Sequence, residues 1–295
     1  MGKSTPKLYT NRSEQENDLY ISRNRCGVRW FGSKRNILDE IYSLIPHHDY
    51  FIDVFGGGAN VILNKKPVNT EIYNDIYGDI VNFFRVLRDN PDELIDKVFL
   101  SPVSREEYFE YIYNPSDEPI ERARQFIVAH YSTFLTLTHK TPGRFMISKH
   151  PVSSTNPQVP IENLIAMAKR LKNVVIENRP ALDIISMYDT KEAFLYIDPP
   201  YPLDARSGGV GYKDEMTRDE HIKLRDALSS VKGKFLISTY DNEFYDELYK
   251  DYEKIVIKSV SSGARFKTKE VGLGENKYRT EVVYVNYKTK SGFFS

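Results

Sequence analysis

The sequence predicts an α/β fold, an open sheet flanked by helices and interrupted by a mostly helical insertion. Three observations carry this. Phe51-Ile52-Asp53-Val54-Phe55 reads as a strand that runs into Gly56-Gly57-Gly58 and then the helical Ala59–Asn64. Phe194-Leu195-Tyr196-Ile197 reads as a buried strand ending abruptly at Asp198-Pro199-Pro200-Tyr201. Between them, from Asn90 to about Lys172, the alternation of strands and helices breaks.

The elements follow in order. Residues 1–23 are polar and read as an N-terminal tail. Arg29-Trp30-Phe31-Gly32-Ser33-Lys34-Arg35 forms a loop with an indole, a glycine and a cationic cluster. A helix then starts near Ser33, because Ile37, Leu38, Ile41, Leu44 and Ile45 recur at helical spacing. After the first strand and its glycine loop, Glu71-Ile72-Tyr73-Asn74-Asp75 is a second short strand ending in an acid. Asp79–Arg88 is helical, with Ile80, Phe83, Phe84 and Leu87 on one face. Within the insertion, Pro91 opens one helix and Ser104-Arg105-Glu106-Glu107 caps another. A longer helix runs from Pro119 to Leu137. Thr136–His150 then reads as a β-hairpin turning at Pro142-Gly143.

A helix over Ile161–Leu171 and a strand over Asn173–Asn178 restore the α/β rhythm. Pro180–Tyr188 is helical, with Asp183 near its start. Pro202–Glu215 is a glycine-containing loop long enough to act as a lid. Thr217-Arg218-Asp219-Glu220 is a capping box. Lys234–Thr239 is a strand and Asn242–Tyr249 a helix. Lys254–Ile257 and Glu281–Asn286 read as paired closing strands.

Bulk composition bounds the function. Charged residues make up 28% and hydrophobic ones 40% of 295 residues, a globular balance. Lys+Arg is 41 and Asp+Glu is 41, so net charge advertises no polyanionic partner, though a local basic face remains compatible. Residues 122–161 contain no acid but do contain Arg122, Arg124, His139, Lys140, Arg144 and Lys149, a basic run suited to phosphates. Cys26 is the only cysteine, which excludes a disulfide framework and a multi-thiolate metal site within one chain. No apolar run reaches membrane-spanning length, and a cytoplasmic protein is expected.

Two half-sites emerge. Strand, glycine loop and helix open a Rossmann-like nucleotide site, and Asp75 lies 19 positions after Gly56, near the spacing at which an acid takes ribose hydroxyls. Position 61 is Val where a pyrophosphate-binding loop carries its third glycine, which favours a nucleoside-type ligand and disfavours a nicotinamide dehydrogenase. The second half-site is the stiff strand end. Pro199 and Pro200 stop the strand, and Pro199 holds Asp198 extended. A carboxylate and a phenol ring presented there suit an amino group on a flat aromatic base.

Taken with their order, these pieces resemble the Dam-like DNA adenine-N6 methyltransferases. The matching residues are Arg29–Lys34, Asp53–Gly58, Asn74-Asp75-Ile76 and Asp198-Pro199-Pro200-Tyr201. The resemblance spans roughly residues 24–288 and implies an S-adenosylmethionine-dependent methyltransferase sheet, formed by residues 24–88 and 173–290. The inserted residues 89–172 become a target-recognition domain bearing the hairpin. It further implies that Trp30 and Lys34 border the donor's methionine end, and that Asp53, Phe55, Gly56 and Gly58 line its pocket. Asp75 holds the ribose diol and Asp183 meets the donor's adenine, while Asp198, Pro199 and Tyr201 hold the target base. The expected partner is double-stranded DNA, bound by a monomer of bacterial or phage origin, with no metal. Arg144 and Lys140 are the leading candidates for base-edge or phosphate contacts. Cytosine-N4 transfer, RNA adenine transfer and a catalytically silent DNA-binding relative remain the alternatives.

Overall fold

The computed structural model describes residues 26–30, 32–133, 159–201, 216–261 and 278–289. Seven strands form one sheet in the order β3-β2-β1-β4-β5-β7-β6. They are β1 (Tyr50–Asp53), β2 (Thr70–Asn74), β3 (Val174–Glu177), β4 (Ala193–Ile197), β5 (Lys234–Tyr240), β6 (Glu253–Ser261) and β7 (Tyr278–Val285). The first five run parallel, and β7 lies antiparallel between β5 and β6, as the paired closing strands predict. β4 sits at the centre and is buried along its whole length, because helices cover both faces of a parallel sheet.

The alternation of side chains builds two cores. Phe51, Tyr73, Phe194 and Tyr196 point to one face. There they meet α1 (Leu38–Leu44), α2 (Asn60–Asn64), α3 (Gly78–Asp89) and the helices of the insertion: α4 (Pro91–Leu100), α5 (Arg105–Tyr113), α6 (Pro119–Tyr131) and α7 (Ile161–Leu171). Ile52, Ile72, Leu195 and Ile197 point to the other face, against α8 (Ala181–Tyr188), α9 (Arg218–Leu228) and α10 (Glu243–Leu248). Leu94, Tyr108 and Phe126 of the insertion belong to the same buried cluster as Phe83 and Phe84 of α3. The insertion helices thus pack continuously with the first face of the sheet.

Local signals explain the element ends. Thr217 and Glu220 form the full reciprocal capping box that opens α9. Ser104 accepts from the backbone N–H groups of Glu106 and Glu107 at the start of α5. The helix expected to begin near Ser33 instead starts with a single 3-10 turn over Arg35–Ile37. The helix expected to reach Leu137 is helical to Tyr131, and the hairpin over Thr136–His150 lies outside the described residues, as does the lid over Pro202–Glu215. Among the described residues, no helix is long and apolar enough to cross a membrane.

The feature that positions the site is the reversal of strand order beside β1. From β1 the chain moves outward to β2 and β3, then returns to place β4 on β1's other side. Carboxyl ends of adjacent parallel strands open a crevice at such a switch point. Asp53 pairs in register with Tyr196, so the glycine loop and the Asp-Pro-Pro-Tyr turn leave the sheet side by side.

Candidate active site

Every donor-pocket and catalytic residue read from the sequence lines one cleft of about 690 Å³: Trp30, Lys34, Asp53, Phe55, Gly56, Gly58, Asp75, Asp183, Asp198, Pro199 and Tyr201. That volume suits a nucleoside-sized ligand with room for a base beside it.

On the β4 side, Asp198 keeps 18% of its side chain exposed, while Lys34 keeps 5%. Lys34 Nζ donates to Asp198 Oδ1 at 2.8 Å and to Gly32 O at 3.3 Å, with Tyr201 OH at 3.0 Å. Burial opposes the Lys34 ammonium, but the Asp198 and Glu281 carboxylates outweigh it and hold its pKa well above the ordinary value. Burial pushes the Asp198 carboxyl above its ordinary value, with Lys34 pulling it down and Glu281 pushing it up. The Tyr201 ring is almost wholly enclosed, with Tyr240 4.3 Å away and the Lys34 ammonium 5.3 Å from its centroid. Behind the turn, His221 Nε2 meets the Pro200 carbonyl at 3.1 Å. A carbonyl only accepts, so Nε2 carries the hydrogen; burial lowers the His221 pKa to about 4 and keeps the ring neutral.

The glycine loop is shaped as much by the protein as by any ligand. A Cβ on Gly56 would collide with the Tyr73 ring, one on Gly57 would lie 2.6 Å from Trp30 Cδ1, and one on Gly58 would lie 2.5 Å from the Val28 carbonyl oxygen. Trp30 is fixed in turn by stacking on His130 of α6 at 5.6 Å. Asp75 accepts from Gly57 N–H and Tyr77 N–H, both at 2.8 Å, which aims its carboxylate along the loop. Asp53 is the unusual group. Neither of its carboxylate oxygens makes a full hydrogen bond among the described residues. Burial, then Asp198 and Asp75, push its pKa well above the ordinary value. A cationic ligand relieves that arrangement, and Asp53 and Asp75 beside Trp30 and Phe55 form such a pocket. The sulfonium and amino groups of S-adenosylmethionine fit this donor set.

Of the predicted DNA contacts, Arg122 and Arg124 lie within the described residues. Arg122 Nε donates to Asp79 at 2.6 Å, and Arg124 pairs with Glu107 at 2.5 Å and Glu121 at 2.6 Å. These two described members of the acid-free run are paired with acids from α3, α5 and the start of α6, so Arg122 ties the insertion to α3 and Arg124 ties α6 to α5. His139, Lys140, Arg144 and Lys149 lie outside the described residues.

Sequence reasoning missed Glu281, Ser238, Tyr240 and His221. Glu281 left one signal, an acid opening the apolar run Val282-Val283-Tyr284-Val285.

Comparison with known proteins places this geometry. Residues 30–262 match the family described as D12 class N6 adenine-specific DNA methyltransferase. The chain is 26% identical over 290 residues to the Type II methyltransferase M1.LlaDCHI of Lactococcus lactis subsp. cremoris, covering 90% of this chain and 98% of that one. It is 25% identical over 268 residues to the DNA adenine methylase of Salmonella typhi, covering 85% and 95%. It is 28% identical over 265 residues to the Type II methyltransferase M.MjaIII of Methanocaldococcus jannaschii, covering 78% and 90%. The solved structure of a putative rRNA-methylase from Clostridium thermocellum aligns with a TM-score of 0.36 at 10% identity over 84% of this chain and 93% of its own, too slight a likeness to carry argument.

Proposed function

The chain belongs to the D12 class N6 adenine-specific DNA methyltransferase family, and from that premise we propose how its residues perform the reaction. It is a DNA adenine-N6 methyltransferase whose family uses S-adenosylmethionine as donor. When bound, the donor supplies an electrophilic methyl group on a sulfonium. Asp75 would take the ribose hydroxyls, Asp53 would face the cationic end, and Trp30, Phe55, Gly56 and Gly58 would form the wall, with Asp183 toward the donor's adenine.

The target base leaves the duplex and enters the same cleft beside Asp198, as base-modifying enzymes require. The amine of adenine is a poor nucleophile because its lone pair is delocalised into the ring. An ionised carboxylate only accepts hydrogen bonds. Asp198, assisted by the Pro199 carbonyl, accepts the amine hydrogens and draws the nitrogen toward tetrahedral geometry. Tyr201 borders the base. The same hydrogen bond lets Asp198 accept the proton that the methylated nitrogen sheds. Positioning supplies most of the rate. The enzyme acts as a monomer on duplex DNA, with Lys140 and Arg144 contacting the target and His139 and Lys149 the backbone.

One observation carries this reading: Asp198, the partly exposed acid of the β4 turn, lines the same cleft as the glycine loop and Asp75. Asp198→Ala is expected to abolish labelled methyl transfer to duplex DNA while leaving donor binding intact. Mass analysis of the product nucleosides should show N6-methyladenine from the wild-type enzyme. Equal loss of transfer and donor binding would make Asp198 structural, and N4-methylcytosine or transfer to RNA alone would overturn the substrate.

A further inference from the structure

Glu281 lies in none of the motifs that mark the site, yet it stands where the site's charges meet. It belongs to β7, which borders β5, and is 5% exposed. Its Oε1 lies 3.0 Å from Lys34 Nζ, 3.2 Å from Tyr201 OH and 2.9 Å from Ser238 Oγ. The hydrogens available to this cluster are limited. Ser238 donates one to Glu281. Lys34 has three, facing Asp198 Oδ1, Glu281 Oε1 and Gly32 O, with the Tyr201 oxygen also in reach. The Tyr201 phenol has one, and two carboxylates compete for it at equal distance: Asp198 Oδ1 at 3.2 Å and Glu281 Oε1 at 3.2 Å. If Glu281 takes it, Asp198 receives only the lysine hydrogen among the described residues, which leaves its remaining lone pairs for the cleft.

We propose that Glu281 is a positioning residue for methyl transfer: by drawing the Tyr201 phenol and sharing the Lys34 ammonium, it keeps the lone pairs of Asp198 free for the target amine. This rests on the reading of Asp198 as the amine acceptor. Without the Glu281 carboxylate, the phenol turns to Asp198 and competes with the substrate, and the whole field of Lys34 falls on Asp198. Among the described residues, the groups facing Asp198 are Lys34 from the segment before α1, Glu281 of β7, Tyr196 of β4, Asp53 of β1, and Tyr201 itself. Lys34 is the one cation among them. Removing the negative charge of Glu281 therefore lowers the Asp198 pKa and makes it a weaker acceptor.

The test compares full-length wild type, Glu281→Gln, Glu281→Ala and Asp198→Ala on unmethylated duplex DNA of mixed sequence with labelled S-adenosylmethionine. Donor binding is read from the fluorescence of Trp30, the single tryptophan and part of the cleft wall. Glu281→Gln should lower kcat roughly tenfold, below the range for removing a general acid or base outright, because Asp198 itself stays in place. Its acid limb should move to lower pH, with donor affinity unchanged. Glu281→Ala should lose about a hundredfold, as for a misplaced reacting group. A Glu281→Gln enzyme with wild-type kcat and pH profile overturns the proposal. So does donor binding that falls in step with kcat, which would make Glu281 structural. If Asp198→Ala still transfers methyl, the amine-acceptor reading fails first and the Glu281 role with it. If only Asp198→Ala is inactive, the Glu281 role alone fails.

Discussion

Gly57 meets several constraints at once. Its φ of +46° lies where an L side chain costs about 1–2 kcal/mol. Its N–H donates to Asp75 and its carbonyl accepts from the Tyr73 hydroxyl at 2.7 Å. The Trp30 indole closes the space where a side chain would go. Gly57→Ala should cost about 1–2 kcal/mol of stability and displace Trp30, weakening donor binding and shifting the tryptophan emission. Unchanged emission with full donor affinity would show that the loop adjusts freely. The sequence displays these glycines without showing whom they serve. A missing side chain reads the same whether it admits a ligand or the protein's own indole. Asp198 is legible because two prolines mark its strand end. Glu281 is not, because its partners Lys34, Tyr201 and Ser238 come from three other segments, and no local pattern links them.

Helices α3, α5 and α6 are tied through one carboxylate. Asp79, in the first turn of α3, accepts from Tyr77 OH at 2.9 Å, Tyr111 OH at 3.0 Å and Arg122 Nε at 2.6 Å. Burial raises the Asp79 pKa, but Arg122 and the two phenols outweigh it and leave the carboxyl below its ordinary value. A carboxyl depressed by folding adds stability above its unfolded pKa and loses it as pH falls through the folded one. Asp79→Asn should therefore cost about 2 kcal/mol at neutral pH, the scale of a lost charge-assisted hydrogen bond. Urea midpoints of the two proteins should converge as pH drops below the ordinary carboxylate range; a gap independent of pH would remove the charge from the account. The helices themselves are legible from periodicity and capping, Thr217–Glu220 most plainly. The setting of Arg122 and Arg124 is not, since their acids Asp79 and Glu107 arrive from other helices.

At the scale of the molecule, 41 basic and 41 acidic residues leave no bulk attraction for a polyanion, and the described arginines of the insertion's long helix are already paired. DNA affinity is then expected to rest on a few local cations. Neutralising Lys140 and Arg144 should weaken binding and reduce the slope of log K against log salt by roughly 0.9 for each phosphate no longer neutralised. An unchanged slope would place the DNA on another surface. Much of the architecture was readable: each strand announced itself by apolar runs and stops. The order of the strands was not readable from spacing alone, because hydrogen bonds between β1 and β4 join distant stretches of chain.

That adjacency also sets a timetable. β1 and β2 emerge early in synthesis, whereas β4 follows the whole helical insertion and Glu281 comes later still. Pairings between such distant segments form slowly, because loop closure must precede their reward. A nascent chain that has made the glycine loop holds half a pocket and no chemistry. The cleft is complete only once β4 has been made and has found β1 across the whole insertion.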